Sequence, residues 1–253
     1  MTEYITKTYD NTKVIEIISE KIREKRPFCI SRFGDAELMV LRRQATDSLK
    51  NKICSYWKYD INEWDKINNM LIDILNFALL NSDLNGFLFS SEDIGINAKA
   101  NIKPEHWLLT KREEEKLAAS HSLKYCSHQI TRREILGDPN KAREIFQNKN
   151  IAIVHPDIEG MQKNKIHELL NCNIEYIKSF NDRGRMLSIL PSIKSQIVLY
   201  GCSIVGKDYG AIMKNEFNKI SIDYGATLDG WAGISARHWF SPGMAQQHCL
   251  ITS

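Results

Sequence analysis

Four short apolar runs in the second half of the chain constrain the fold most. They are Ile151-Ala152-Ile153-Val154, Ile174-Glu175-Tyr176-Ile177, Gln196-Ile197-Val198-Leu199-Tyr200 and Ile220-Ser221-Ile222-Asp223. Each is short, rich in β-branched residues and bounded by turn formers, which is the pattern of a buried strand. Between them, Gln162 to Leu170, a stretch holding Met186-Leu187 and a stretch to about Asn218 read as helices. Strand, turn and helix repeated at this spacing argue for a parallel sheet with right-handed crossovers.

The first half fits the same plan. Thr12 to Lys25 has helical apolar spacing and is closed by Pro27, and Phe28-Cys29-Ile30 follows as a strand. Leu38 to Arg43 and Leu49 to Leu80 read as helical, the latter as an insertion around residues 45–85. Gly86-Phe87-Leu88-Phe89 reads as a strand ending in Ser90-Ser91-Glu92-Asp93. Residues 98–150 are polar, with Arg132-Arg133 and a turn at Gly137-Asp138-Pro139-Asn140, and resist division into elements. The tail, 241–253, lacks periodicity and is expected to be loose.

Length and composition narrow the class. The 253 residues, 43% hydrophobic and 26% charged, suit one α/β domain spanning 1–253 with a sizeable core. The net charge of +3 fits an anionic substrate and is too weak and dispersed for nucleic acid. Met1-Thr2-Glu3-Tyr4 shows neither a basic nor an apolar leader region, and no apolar run approaches ~18 residues. The expectation is a cytoplasmic protein, with at most peripheral contact at the inner face of the membrane. Cys29, Cys54, Cys126, Cys172, Cys202 and Cys249 form no C-x-x-C pair and none has a His at zinc spacing, so reduced thiols are expected.

Three constellations carry chemistry. The first is Ser31-Arg32-Phe33-Gly34-Asp35-Ala36-Glu37-Leu38, where a strand gives way to a helix. Ligands bind at that position in open α/β sheets. An acid-x-acid pair there suits a hard cation against a diphosphate, because such cations prefer oxygen ligands. Helix capping by Asp35, with Glu37 near the dipole, explains the same acids without a ligand. Arg32 favours the ligand, since a buried strand arginine must pair or bind an anion.

The second is Gly201-Cys202-Ser203-Ile204-Val205-Gly206-Lys207. Small residues between a strand and a helix let the backbone approach a phosphate, and the helix start supplies N–H donors. The Gly201-to-Lys207 spacing matches a P-loop, but Asp208 stands where Ser or Thr should follow the lysine. A dinucleotide fingerprint fits somewhat better, with Ser203 in place of its second glycine and Asp223 on a ribose hydroxyl. A plain tight turn remains the third reading. The third constellation is Asp223 to Gly233, where Gly225, Gly230 and Gly233 mark a shaped loop holding Asp229 and Trp231. The aromatic ring could stack on a sugar and the carboxylate could act as a base; a loop packed by its own tryptophan is the plainer alternative. Arg237 and His238 follow as further phosphate-facing residues or ordinary surface ones.

The first motif resembles the R-F-G-D-G-E signature of the GT-D type glycosyltransferases, a bacterial family. The order of the later blocks, Ile151 to Val154, Gly201 to Lys207 and Ile222-Asp223-Tyr224-Gly225, is similar too, over roughly residues 27–240. Ala36 replaces the family's glycine, and Ala226 stands in place of the histidine that follows its I-D-x-G. The resemblance implies a Rossmann-like parallel sheet of GT-D type, flanked by helices. It implies a metal-dependent transferase moving a sugar from a nucleotide-sugar donor, a UDP-sugar before others, to a glycan or lipid-linked glycan acceptor. Asp35 and Glu37 would hold Mn²⁺ or Mg²⁺. Arg32, Gly34, Gly201, Ser203, Gly206, Lys207 and Asp223 would bind the nucleotide. Asp229 would activate the acceptor hydroxyl, with His155 and Asp157 in reserve. Two alternatives stay open: a dinucleotide- or S-adenosylmethionine-dependent enzyme using Gly201 to Gly206, and a non-catalytic nucleotide-sugar binding module.

Overall fold

The computed structural model describes residues 9–87, 115–117, 121, 123–127, 130–131, 138–180 and 182–234, with Asp35 by its backbone. Arg237, His238 and the tail from 241 lie outside these residues, as do Leu88 to Asp93.

Among the described residues seven strands form one sheet in the order β3-β2-β1-β7-β6-β4-β5, and every neighbouring pair is parallel. They are β1 Phe28–Arg32, β2 Leu84–Phe87, β3 Tyr125–Ser127, β4 Asn150–His155, β5 Asn173–Lys178, β6 Ile197–Tyr200 and β7 Ile220–Asp223. The helices are α1 Asn11–Glu24, α2 Asp35–Leu41, α3 Asp47–Trp57, α4 Trp64–Asn81, α5 Pro139–Phe146, α6 Lys163–Leu170, α7 Arg183–Ile189, α8 Tyr209–Phe217 and α9 Thr227–Trp231. Because all strands run the same way, their carboxyl ends share one edge. The chain leaves β4 for β5 at the sheet's margin, but leaves the adjacent β6 in the opposite direction, toward β7. In sheets of this kind ligands sit outside the carboxyl ends of the strands at such a reversal, which here falls between β4 and β6.

Both faces of the sheet are covered, which is why the strands read as near-continuous apolar runs. Ile151, Ile153, Ile197, Leu199, Ile220 and Ile222 pack on one face with Val14 and Ile18 of α1, Phe146 of α5 and Leu170 of α6. Ala152, Val154, Val198 and Tyr200 point the other way, against Met186 and Met213. Phe33, Phe87 and Tyr125 meet Trp57, Leu71, Leu75 and Leu79 of α3 and α4 in a further cluster. Cys29, Cys54, Cys126, Cys172 and Cys202 are buried within this packing as thiols.

Local chemistry sets the helix starts. Asp10, Thr46, Asp138 and Asp182 each cap a helix by accepting a backbone N–H at about 2.7–3.3 Å, a contact worth typically ~1 kcal/mol. Of the stretch expected as a turn at 137–140, Asp138 to Asn140 are described and form a helix start: Asp138 caps α5 and Pro139 is its first residue, where the missing N–H costs nothing. The stretch expected as an insertion is the β1–β2 crossover itself, α2, α3 and α4, broken at Lys58 by a left-handed residue. Strand β2 begins at Leu84, ahead of the expected Gly86. Strand β3 lies in the polar middle section and was not foreseen; its three residues are all buried.

Candidate active site

Arg32 ends β1 with only 6% of its surface exposed. Its backbone N–H donates to Asp223 Oδ2 at 3.2 Å, and its Nη2 lies 3.6 Å from Asp223 Oδ1. Among the described residues its buried Nε and Nη1 have no hydrogen-bond partner. Beside it, Lys207 is 5% exposed. Its Nζ lies 2.7 Å from Asp223 Oδ2 and 3.2 Å from Glu37 Oε1. Glu37 in turn accepts the Gly34 N–H on Oε2 at 3.1 Å. Two cations thus face two carboxylates at the joined ends of β1 and β7. Thr131 adds a hydrogen bond from its Oγ1 to the Asp223 carbonyl at 2.8 Å.

The electrostatics follow from burial. Desolvation pushes the Asp223 carboxyl up, but Lys207 and Arg32 reverse this and hold it below its ordinary range. Desolvation likewise pulls the Lys207 ammonium down, while Asp223 and Glu37 carry it above its ordinary value. These groups stay charged. The guanidinium edges of Arg32 are then the unsettled part, because an unpaired buried donor costs about 1–3 kcal/mol, more when charged. An anion would satisfy them. The Tyr224 hydroxyl, close enough to feel the Arg32 charge, is also buried without a partner.

Backbone geometry leaves room for little else. Gly225 sits at φ +50°, and a Cβ there would collide with Arg32 Nη2. Only glycine meets both demands. A Cβ on Gly201 would come 2.8 Å from the Gly225 carbonyl oxygen and 3.1 Å from His155 Cδ2. Gly206 is packed by protein as well: a Cβ would reach Cys202 and come 2.7 Å from the Tyr209 ring. Its smallness closes the turn onto α8. Ser203, between these glycines, has φ 55° and ψ −160°, backbone space that is essentially glycine's alone. Gly34 is extended, with φ −110° and ψ −169°, and Ala36 lies within α2 without a positive φ, so alanine fits there.

A second group lies at the carboxyl end of β4, beside β6. His155 ends β4 and is 3% exposed. Its Nε2 lies 2.9 Å from Asp229 Oδ1 on α9. Its Nδ1 accepts the Asp157 N–H at 3.2 Å. The Asp157 carboxylate turns back to accept the Gly160 N–H at 3.1 Å, shaping its own loop.

The structure therefore brings the sequence-predicted residues together in two adjoining groups. Arg32, Gly34, Glu37, Lys207 and Asp223 form one, with the backbone of Asp35 at the start of α2. Asp229, His155 and Asp157 form the other, and Gly201 and Gly225 join them. Trp231 belongs to neither, being fully buried with its ring 4.9 Å from that of Tyr224. Asp223 is 2% exposed and engaged by both cations, which leaves it unsuited to a ribose hydroxyl. Asp208 is buried and paired by Arg183 through both guanidinium ends, away from the partners of Lys207. Sequence reasoning missed Arg183 and Thr131. An acid directly after Lys207 was the one signal that a basic partner was needed.

No protein-family model matches the chain, and no curated protein matches it. Among solved structures it is similar to one described as the highly conserved domain of unknown function 1792, with a distinct glycosyltransferase fold. The match covers 94% of this chain and 82% of that one, at 16% sequence identity and a TM-score of 0.57. The fold is glycosyltransferase-like. Its all-parallel sheet flanked by helices is the α/β class expected.

Proposed function

We propose that the chain is a glycosyltransferase that takes a sugar from a nucleotide-sugar donor, a UDP-sugar before others, to a glycan or lipid-linked glycan acceptor. The observation that carries this reading is the buried Arg32 guanidinium, its Nε and Nη1 unpaired beside Lys207 at the carboxyl edge of a glycosyltransferase-like sheet. Two fixed cations there suit a diphosphate and the charge that grows on it as it departs. Gly34, Gly201, Ser203 and Gly206 frame the approach from the β1 and β6 turns. The dinucleotide or S-adenosylmethionine alternative asks for a free Asp223 carboxylate, and Lys207 and Arg32 engage it.

Asp35 and Glu37 are the proposed holders of Mn²⁺ or Mg²⁺. Among the described residues no three His, Cys, Asp or Glu side chains gather into a metal site; what supports the reading is Glu37, a half-buried carboxylate whose oxygens take the Gly34 N–H and the Lys207 ammonium and each retain a lone pair for a hard cation. A bound divalent ion would neutralise the diphosphate and template donor and leaving group. The chain's own residues do the rest. Arg32 and Lys207 orient the phosphates, and Asp229 takes the proton of the acceptor hydroxyl. Among the described residues no helix is long and apolar enough to cross a membrane; a cytoplasmic enzyme meeting a lipid-linked acceptor peripherally is the proposed setting.

Calorimetric titration with UDP and UDP-sugars, with and without Mn²⁺, tests donor binding, and radiolabelled transfer to glycan acceptors tests turnover. Binding of the diphosphate that is lost in Arg32→Gln supports the site. A chain that binds NAD(P) or S-adenosylmethionine in preference to every nucleotide sugar would overturn it. Binding without transfer to any acceptor would reduce it to a binding module.

A further inference from the structure

The His155–Asp229 pair lies at the topological switch point, yet the two side chains cannot play the same part. The His155 Nδ1 is already an acceptor, because the Asp157 N–H points at it from 3.2 Å. The ring proton of the neutral imidazole therefore sits on Nε2, which faces Asp229 Oδ1 at 2.9 Å. Both ring nitrogens are committed to protein, and the ring is 3% exposed. Asp229 is half-buried, with 13% of its side chain exposed, and among the described residues its Oδ2 carries no hydrogen bond. Gly201 is packed between His155 and the Gly225 carbonyl, and Gly225 abuts Arg32. The pair thus borders the cluster assigned above to the diphosphate.

We propose that His155 is a positioning residue: its Nε2–H holds Asp229 by Oδ1 and leaves Oδ2 as the atom that takes the acceptor's proton. The assignment rests on the glycosyltransferase reading. In the transfer, the acceptor hydroxyl oxygen forms a bond to the anomeric carbon. The anomeric bond to the diphosphate oxygen breaks, and its electron pair leaves with the diphosphate. The hydroxyl proton passes to Asp229 Oδ2. The imidazole keeps its proton throughout. A base whose rotamer is fixed by a neighbour loses less freedom when the acceptor arrives, and geometry of this kind is a large part of catalysis. Asp157 contributes through its backbone alone, by fixing the tautomer, which removes it from the proton-transfer roles.

The test uses the full chain in three arms. Long-range ¹H–¹⁵N spectra of the imidazole should show the neutral Nε2–H form at pH 7, and Asp229→Asn should move that Nε2 resonance. In kinetics, His155→Phe should lower kcat about 10²-fold or more, the scale of a positioned proton acceptor, with donor Kd unchanged. His155→Gln, whose amide nitrogen can stand in for Nε2, should restore most of that loss. Should the Phe variant fail to fold, Gln against Asn decides, since only Gln reaches as far as Nε2. An Nδ1–H tautomer, a Gln variant as slow as Phe, or a Phe variant at full rate would each overturn the proposal. A wild-type chain that transfers no sugar would sink the glycosyltransferase reading, and the spectra would still decide the pairing.

Discussion

Replacing Ser203 by glycine should stabilise the protein, an unusual direction for a change beside a proposed ligand site. Ser203 is held at φ 55° and ψ −160° and makes no side-chain capping bond to the turn it opens. A non-glycine residue in that region costs of order 1–3 kcal/mol. Glycine removes the strain but adds unfolded-chain freedom worth about 0.4–1 kcal/mol. The net gain is then up to roughly 2.6 kcal/mol, or up to about 10 °C in melting temperature for a chain of this size. Ser203→Ala is the control, since it keeps the strain and removes only the hydroxyl; its melting temperature should stay near wild type. The functional arm is UDP affinity by calorimetry. If the turn binds phosphate through backbone N–H groups, the glycine variant keeps its affinity. If the hydroxyl donates to phosphate, both variants weaken by about tenfold, the worth of one hydrogen bond to a charged group. A glycine variant that melts at or below wild type would refute the claim that strain is stored here.

Asp223→Asn should cost about 3–5 kcal/mol, because Lys207 and Arg32 would lose their buried counter-charge. Since the folded Asp223 carboxyl is depressed, its stabilisation is present above the ordinary aspartate pKa of about 3.9 and lost as pH falls below it; melts from pH 3 to 7 should show the variant's deficit shrinking with acid, and a constant deficit would contradict the assignment. Gly225→Ala places a Cβ against Arg32 Nη2 at a positive φ. It should weaken UDP binding by more than tenfold, and unchanged affinity would move the diphosphate away from Arg32. Glu37→Gln can still accept the Gly34 N–H, so its melting loss should stay near ~1 kcal/mol, the scale of a cap. It and Asp35→Asn should nonetheless abolish Mn²⁺-dependent transfer, and near-wild-type rates at limiting Mn²⁺ would sink the metal assignment.

The fold was legible where burial is two-sided. Strands β4, β5, β6 and β7 carry their apolar runs because helices cover both faces, and the structure places them within a residue or so of where the runs lie. Strand β3 was hidden because Tyr125-Cys126-Ser127 is too short to show a period, and its burial comes from partners far away in sequence. At 137–140 the misreading was chemical: Asp and Pro favour turns and helix starts alike, and only the residues after them decide. The site was legible as residue types at strand ends. Arg32, Glu37 and Lys207 stood out because charged groups beside apolar strands need a reason. Their pairing did not, since Glu37 and Lys207 meet only once β7 is hydrogen-bonded to both β1 and β6. For Trp231 the sequence offered stacking on a sugar and a loop packed by its own ring; the structure gives the buried ring, and what chose between them is what the sheet puts beneath it.

The arrangement also bears on how one crevice can serve two opposed electrostatic demands. A departing diphosphate needs fixed positive charge, and a carboxylate base needs to stay free of it. Arg32 and Lys207 are each bound to Asp223 on one side of the Gly201–Gly225 contact. Asp229 and the neutral imidazole of His155 lie on the other. Lys207 and Asp208, adjacent in sequence, are sent to separate partners, Lys207 to Glu37 and Asp223, Asp208 to Arg183. Arg183 neutralises the buried Asp208 charge where it sits, so on the proposed reading that charge does not weigh against the diphosphate. On the proposed reading, the two glycines keep the cations close enough to the base for one substrate to touch both. The carboxylate partners keep those cations from pairing with Asp229 instead.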